Sequence, residues 1–199
     1  MVTTYKNLSA VEYTGLLKRV SQEAARLEKI FDDQDYLLGK QSYPQLYYGW
    51  ARELENTYAI PNSKATIHKF LQDFAAEREI NNKKPEEQRD VVLVNFGRLS
   101  MQGTNDLNSM VDRANILTKY FLLKNPDIEV KDKSRLFTDD ERFVIWTLGG
   151  KRCAQCGVDL PSFKEMEADH ITAWAKGGAT TLSNAQCLCG QCNAAKGAN

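Results

Sequence analysis

RCAQCGVDLPSFKEMEADHITAWAKGGATTLSNAQCLCGQCNAAKG, residues 152–197, is the stretch whose reading decides the fold. It holds four of the chain's five cysteines, in two Cys-x-x-Cys pairs, Cys153/Cys156 and Cys189/Cys192. That spacing lets both sulfurs of a pair face one ion, so the two pairs together can close a tetrahedral structural Zn²⁺ site. Cys187 alternates with Cys189 and competes as a ligand; spacing favours Cys189 and Cys192. Between the pairs stand Asp169-His170 and Asn184, and Asn193 directly follows the last cysteine. A zinc clasp has no need of these polar residues, so they are the candidates for chemistry.

A unit of roughly fifty residues buries too little apolar surface to be secure alone, which is a physical reason for a metal staple. Residues 157–188 separate the two pairs, room for a strand, a long loop and a second strand. We place strands at 167–171 and 186–188, with Gly177-Gly178 and Asn184 on the loop and a helix starting near Gln191.

In order, Cys-x-x-Cys, Asp169-His170-Ile171, Gly177-Gly178-x-Thr180, Asn184 and Leu188-Cys189-x-x-Cys192-Asn193-x-x-Lys196 resemble the HNH nucleases of the ββα-metal (His-Me finger) superfamily. The likeness covers about the last quarter of the chain. It implies a metal-dependent endonuclease that hydrolyses DNA phosphodiesters and leaves 5′-phosphate and 3′-hydroxyl ends. By this resemblance His170 is the general base, with a near-neutral pKa suited to the task. Asn184 fixes the imidazole's orientation through contacts in its loop. Asp169 and Asn193 hold one divalent cation, and Lys196 touches a nucleic-acid phosphate. The family most often has histidine where Asn193 stands. An amide oxygen is a harder ligand than imidazole, which favours Mg²⁺ or Mn²⁺ over Ni²⁺ or Zn²⁺. Blander roles exist: Asn184 also suits a turn, Asn193 a helix start, Lys196 a solvated surface, and Trp174 packing of the loop.

Upstream, residues 1–149 read as helical. Ser9-x-x-Glu12 and Thr138-x-x-Glu141 are capping boxes. Val11, Leu16, Leu17, Val20, Ala24, Leu27, Ile30 and Phe31 recur at helical steps and predict one core-facing stripe. Pro44 opens a segment with Leu46, Trp50, Leu54 and Tyr58 inward, and a third helix follows Asn62-Ser63. Residues 81–87 (NNKKPEE) read as a polar loop. VVLVNF, 91–96, suits strand or buried helix; its helical neighbours favour helix. Another helix starts at Thr104 or Asn105, runs to about Leu123 and ends at Asn125-Pro126. The short helix after Thr138 stops at Gly149-Gly150 and presents Phe143, Ile145 and Trp146 to a small core.

The charged run 131–135 (KDKSR) is the boundary. The expected class is α+β: a mostly helical recognition or regulatory domain, 1–134, then a zinc-clasped ββα-metal domain, 135–199. The later helices followed by Arg135-Leu136-Phe137-Thr138 also resemble, more weakly, the C-terminal region of GmrSD-type modification-dependent restriction proteins. That likeness implies a role in restriction or anti-phage defence, with the chain a C-terminal piece of a longer protein; otherwise the likeness is accidental.

Composition limits the partners. Lys+Arg and Asp+Glu are equal at 26 each, without the basic excess usual for a stand-alone duplex binder. Weak intrinsic affinity follows, with a partner protein, an upstream domain or a second protomer adding grip. No apolar run approaches the ~20 residues that span a bilayer, and no signal-peptide pattern opens the chain, so we read it as cytosolic, where thiols stay reduced. The rival to an enzyme is a non-catalytic zinc-dependent DNA-binding or scaffold module; a second rival is an HNH nuclease acting on RNA.

Overall fold

Both capping boxes form, and each starts a helix. In the computed structural model, Ser9 Oγ and N–H both meet the Glu12 carboxylate, at 2.7 and 2.9 Å. The model describes residues 9–32, 34–39, 42–101, 106–131 and 135–197, without the side chains of residues 10, 23, 26, 27 and 29. The elements are α1 (Ala10–Ile30), α2 (Tyr43–Thr57), β1 (Tyr58–Ala59), α3 (Ser63–Lys83), α4 (Val91–Leu99), α5 (Leu107–Lys124), β2 (Glu129–Val130), α6 (Asp139–Leu148), β3 (Met166–His170), β4 (Ala185–Cys189) and α7 (Gly190–Lys196). The chain is thus mostly helical, with two small antiparallel sheets, β1–β2 and β3–β4. Among the described residues no helix is long and apolar enough to cross a membrane.

The helical core is aromatic. Trp50, Phe70, Phe74, Phe96 and Phe121 are buried, with Phe70 edge-on to Phe121 at 5.2 Å and Phe74 edge-on to Phe96 at 5.0 Å. Segment 91–96 is helical, as its neighbours suggested. The Asp90 side chain caps it by accepting from Val92 N–H and Leu93 N–H.

Several expectations need correction. The α1 stripe is not core along most of its length: Val11, Leu17 and Val20 are exposed and only Ile30 and Phe31 are buried. Its C-terminal end alone enters the buried cluster; the Leu27 side chain lies outside the described ones. Residues 81–83 extend α3 instead of opening a loop. Asn81 is 1% exposed because its amide exchanges two bonds with the Asp90 backbone, at 3.1 and 2.8 Å, a pairing that local polarity does not reveal. The α5 start predicted at 104 or 105 lies outside the described residues; the helix begins at Leu107 with Asp106 accepting from Ser109 N–H. In α6 the buried residues are Glu141, Val144 and Ile145, while Phe143 and Trp146 are half-buried. Of the boundary run only Lys131 and Arg135 are described.

Candidate active site

The β3–β4 hairpin and α7 build the C-terminal unit. Register pairs Met166 with Cys189 and His170 with Ala185, so the hairpin's open end carries Cys189 and its loop end carries His170. Both strands lie close to the predicted ranges, 167–171 and 186–188.

At the open end the Sγ atoms of Cys153, Cys156, Cys189 and Cys192 all lie within 4.8 Å of one another. Cys156 Sγ and Cys189 Sγ are 3.8 Å apart. Two sulfurs bound to one tetrahedral zinc at about 2.3 Å stand about 3.8 Å apart, so the set fits that ion. The local backbone explains the arrangement. Gly157 takes φ +74°, letting its N–H reach Cys153 C=O at 2.9 Å, and Ala154 N–H ties the first knuckle to Cys187 C=O at 2.8 Å. Burial pushes the Cys153 thiol up, but backbone hydrogen bonds around Cys156, Cys189 and Gln155 outweigh it and hold it low. Cys192 is pushed up by hydrogen bonding to the neighbouring sulfurs, Cys189 first. Cys187 stands outside the cluster. It is 2% exposed and sits against the end of α6, where a Cβ on Gly149 would come within 3.0 Å of its own Cβ.

At the other end His170 terminates β3 and is 6% exposed. Its ring packs on Phe137 at 4.8 Å, and its Nε2 lies 3.0 Å from Thr180 Oγ1. Asn184 does not touch the ring. Its side chain accepts from Thr172 N–H at 2.9 Å and donates to Thr172 C=O and Ala179 C=O at 3.1 and 2.8 Å, binding the two limbs of the loop together. Gly178 must be glycine there, since a Cβ would fall 1.8 Å from Thr172 O. Asn184 therefore frames the segment that presents Thr180, and Thr180 meets the imidazole.

Asp169, His170 and Asn193 line one cavity of about 410 Å³, with Arg135, Phe137 and Arg142 on its wall. Lys196, expected to touch a nucleic-acid phosphate, turns inward toward β3. Its Nζ donates to Asp169 Oδ2 at 2.5 Å and to His170 C=O at 2.6 Å, since an acid beside it is a nearer partner than solvent. Gln186 Nε2 donates to the same Oδ2 at 2.8 Å. Burial pushes the Asp169 carboxyl up, but the bonds from Lys196 and Gln186 and the Lys196 charge outweigh it and hold it below the usual carboxylate range. Both side-chain donors fall on one oxygen. The other, Oδ1, and the Asn193 amide oxygen are hard donors on one cavity, a set that fits Mg²⁺ or Mn²⁺.

The sequence reading missed Thr180, Phe137, Arg135 and Arg142 as site residues. Thr180 lay within a quoted motif without a role. The other three precede the cysteines, and only tertiary packing brings them to the cavity.

A comparison with protein families decides the relationship. Residues 153–199 match the HNH endonuclease family. The C-terminal quarter is thus similar to HNH endonucleases. The match begins at Cys153 and leaves the helical part, and the GmrSD-type resemblance expected there, without support. No curated protein and no solved structure gives a match to the chain.

Proposed function

We propose that the HNH unit, taken as residues 135–199, is a metal-dependent endonuclease that nicks DNA, and that residues 1–134 serve recognition or regulation, in restriction or defence against foreign DNA. The observation that carries this reading is that His170, Asp169 and Asn193, apart in sequence, line one cavity within the family-matched stretch.

His170 acts as the general base. With Nε2 protonated and donating to Thr180 Oγ1, Nδ1 keeps the lone pair that takes the proton of the attacking water. Burial pushes the imidazole below its ordinary value; the Asp169 charge pulls it up, and Arg135 and Lys196 push it down again. The net effect keeps the ring neutral at pH 7, as a base must be. Asp169 and Asn193 would hold Mg²⁺ or Mn²⁺, which supplies charge to the pentacovalent phosphate and the departing 3′ oxygen. Cys153, Cys156, Cys189 and Cys192 would hold a zinc that ties β4 and α7 to the first cysteine pair, away from the reacting groups.

The test is nicking of supercoiled plasmid by the zinc-loaded full chain with Mg²⁺ or Mn²⁺. His170→Ala is expected to abolish nicking while zinc content and circular dichroism stay unchanged. Wild-type protein inert with every divalent cation overturns the reading in favour of a zinc-held binding module. Preference for Ni²⁺ over Mn²⁺ counts against the oxygen ligand set. Labelled duplex DNA, single-stranded DNA and RNA run in parallel identify the nucleic acid.

A further inference from the structure

We propose that Arg135 and Arg142 form a phosphate-binding pair that holds the nucleic-acid backbone at the mouth of the His170 cavity. Both arginines line that cavity, and both lie upstream of Cys153, outside the family-matched residues. The inference rests on the nuclease reading only for the identity of the anion.

Arg142 is anchored from behind. Its Nη2 donates to Met166 C=O at 2.7 Å, at the start of β3, which fixes the plane of the guanidinium. A guanidinium has five N–H donors, and this contact uses one edge. Arg135 stands just before α6, is exposed, and is close enough to His170 for its charge to be felt by the imidazole. Among the described residues neither arginine has a carboxylate within ion-pair distance. Other cations in the same unit do: Arg152 pairs with Asp159 at 2.7 Å, and Lys196 with Asp169 at 2.5 Å.

Two acids share the cavity, Glu167 and Asp169, and they alternate along β3 on one face. Asp169 is already met by Lys196, so Glu167 alone opposes two guanidiniums. Planar cations without a carboxylate partner, converging on a cavity, are suited to a phosphodiester, whose non-bridging oxygens accept bidentate N–H donation. This local gathering also answers the neutral composition, with 26 cationic and 26 acidic residues along the chain: the grip comes from two placed side chains, not from a basic surface.

The experiment uses the full zinc-loaded chain carrying His170→Ala, so that binding is read without cleavage. Fluorescence anisotropy with a labelled DNA duplex, an RNA of the same sequence and a single strand gives Kd across a salt series. Adding Arg135→Ala or Arg142→Ala is expected to weaken binding by about tenfold each and to flatten the log–log salt slope by about one. Arg142→Lys keeps the charge but loses the planar fork, so its Kd falls between parent and alanine variant. Among the described residues Arg135 makes no anchoring bond to the fold, and its variant reports even where Arg142→Ala disturbs β3. Loss on the RNA alone supports the pair while overturning DNA as substrate. A parent that binds none of the three probes, or alanine variants that match the parent in Kd and slope, overturns the proposal; a chain that binds through this pair yet never nicks overturns only the nuclease reading.

Discussion

Thr180 is the side chain that meets Nε2 of the proposed base, His170. The ring has two nitrogens, and only the tautomer protonated at Nε2 leaves Nδ1 as a base. A hydroxyl 3.0 Å from Nε2 can accept from Nε2–H or donate to a bare Nε2; the proposed mechanism requires the first arrangement, with Thr180 accepting and Nδ1 left as the base. Thr180→Val keeps the shape of a residue that is 5% exposed but removes the acceptor. The expected outcome is a fall in kcat of about tenfold or more, with KM and zinc content unchanged, and recovery in Thr180→Ser. Steady-state nicking kinetics check it. A drop confined to KM shows that Thr180 binds substrate and does not orient the base. His170, Asp169 and Asn193 could be picked out in the sequence because their residue types suit the proposed roles, and the fold brings all three to one cavity. Thr180 could not, because a hydroxyl is common in loops and its use depends on a fold that brings residue 180 back over residue 170.

At the scale of elements, what was readable is what is local. The two capping boxes, the helix over residues 91–99 and the β3–β4 hairpin each follow from side chains a few residues apart. Strands β1 and β2 were invisible, since Tyr58 pairs with Val130 across the whole of α3, α4 and α5. The α1 stripe was visible but its burial was not, because periodicity names a face without naming what covers it. The competition between Cys187 and Cys189 was likewise beyond spacing alone. Both stand on β4, yet only Cys189 reaches the sulfur cluster; burial comes first, then the Cys153 charge, in pushing the Cys187 thiol up. Cys187→Ala is therefore expected to retain one zinc per chain, whereas Cys153→Ala and Cys189→Ala lose it. Chromophoric zinc release on thiol modification measures this directly. Chelation should also strip hairpin structure from the wild type, since metal binding and folding are coupled in so small a unit. Zinc lost from the Cys187 variant overturns the ligand assignment.

For the whole molecule the question is whether the proposed nuclease part, 135–199, folds without the helices before it. One buried cluster runs from Ile30 to Leu188, and α6 lies along α5 within it. The contact is more than apolar. Lys119 of α5 stands 4.6 Å from the Phe143 ring and 3.7 Å from Asp140, and Ser183 N–H donates to Pro126 C=O at 3.2 Å. Glu141, 4% exposed, is pushed up by burial and held by Thr138 and by a hydrogen bond with Tyr58, a residue of the helical part. Cutting at residue 134 takes α5 away from α6, whose Val144 and Ile145 are 0% and 3% exposed in the full chain, and the expected consequence is that both lose cover. At about 1.5–3 kcal/mol for each such side chain, the loss is about 3–6 kcal/mol. A unit of this size has only about 3–10 kcal/mol of stability in total, at about 0.05–0.15 kcal/mol per residue. Residues 135–199 alone are thus expected to bind zinc but to melt broadly and early. A longer piece starting at residue 106 restores α5 as the cover, and with it a cooperative transition. Thermal melts followed by circular dichroism, with zinc saturating throughout, compare the two pieces with the full chain. A sharp transition at the full chain's Tm for 135–199 alone shows instead that the zinc clasp suffices, and that α5 contributes to recognition without supporting the nuclease fold.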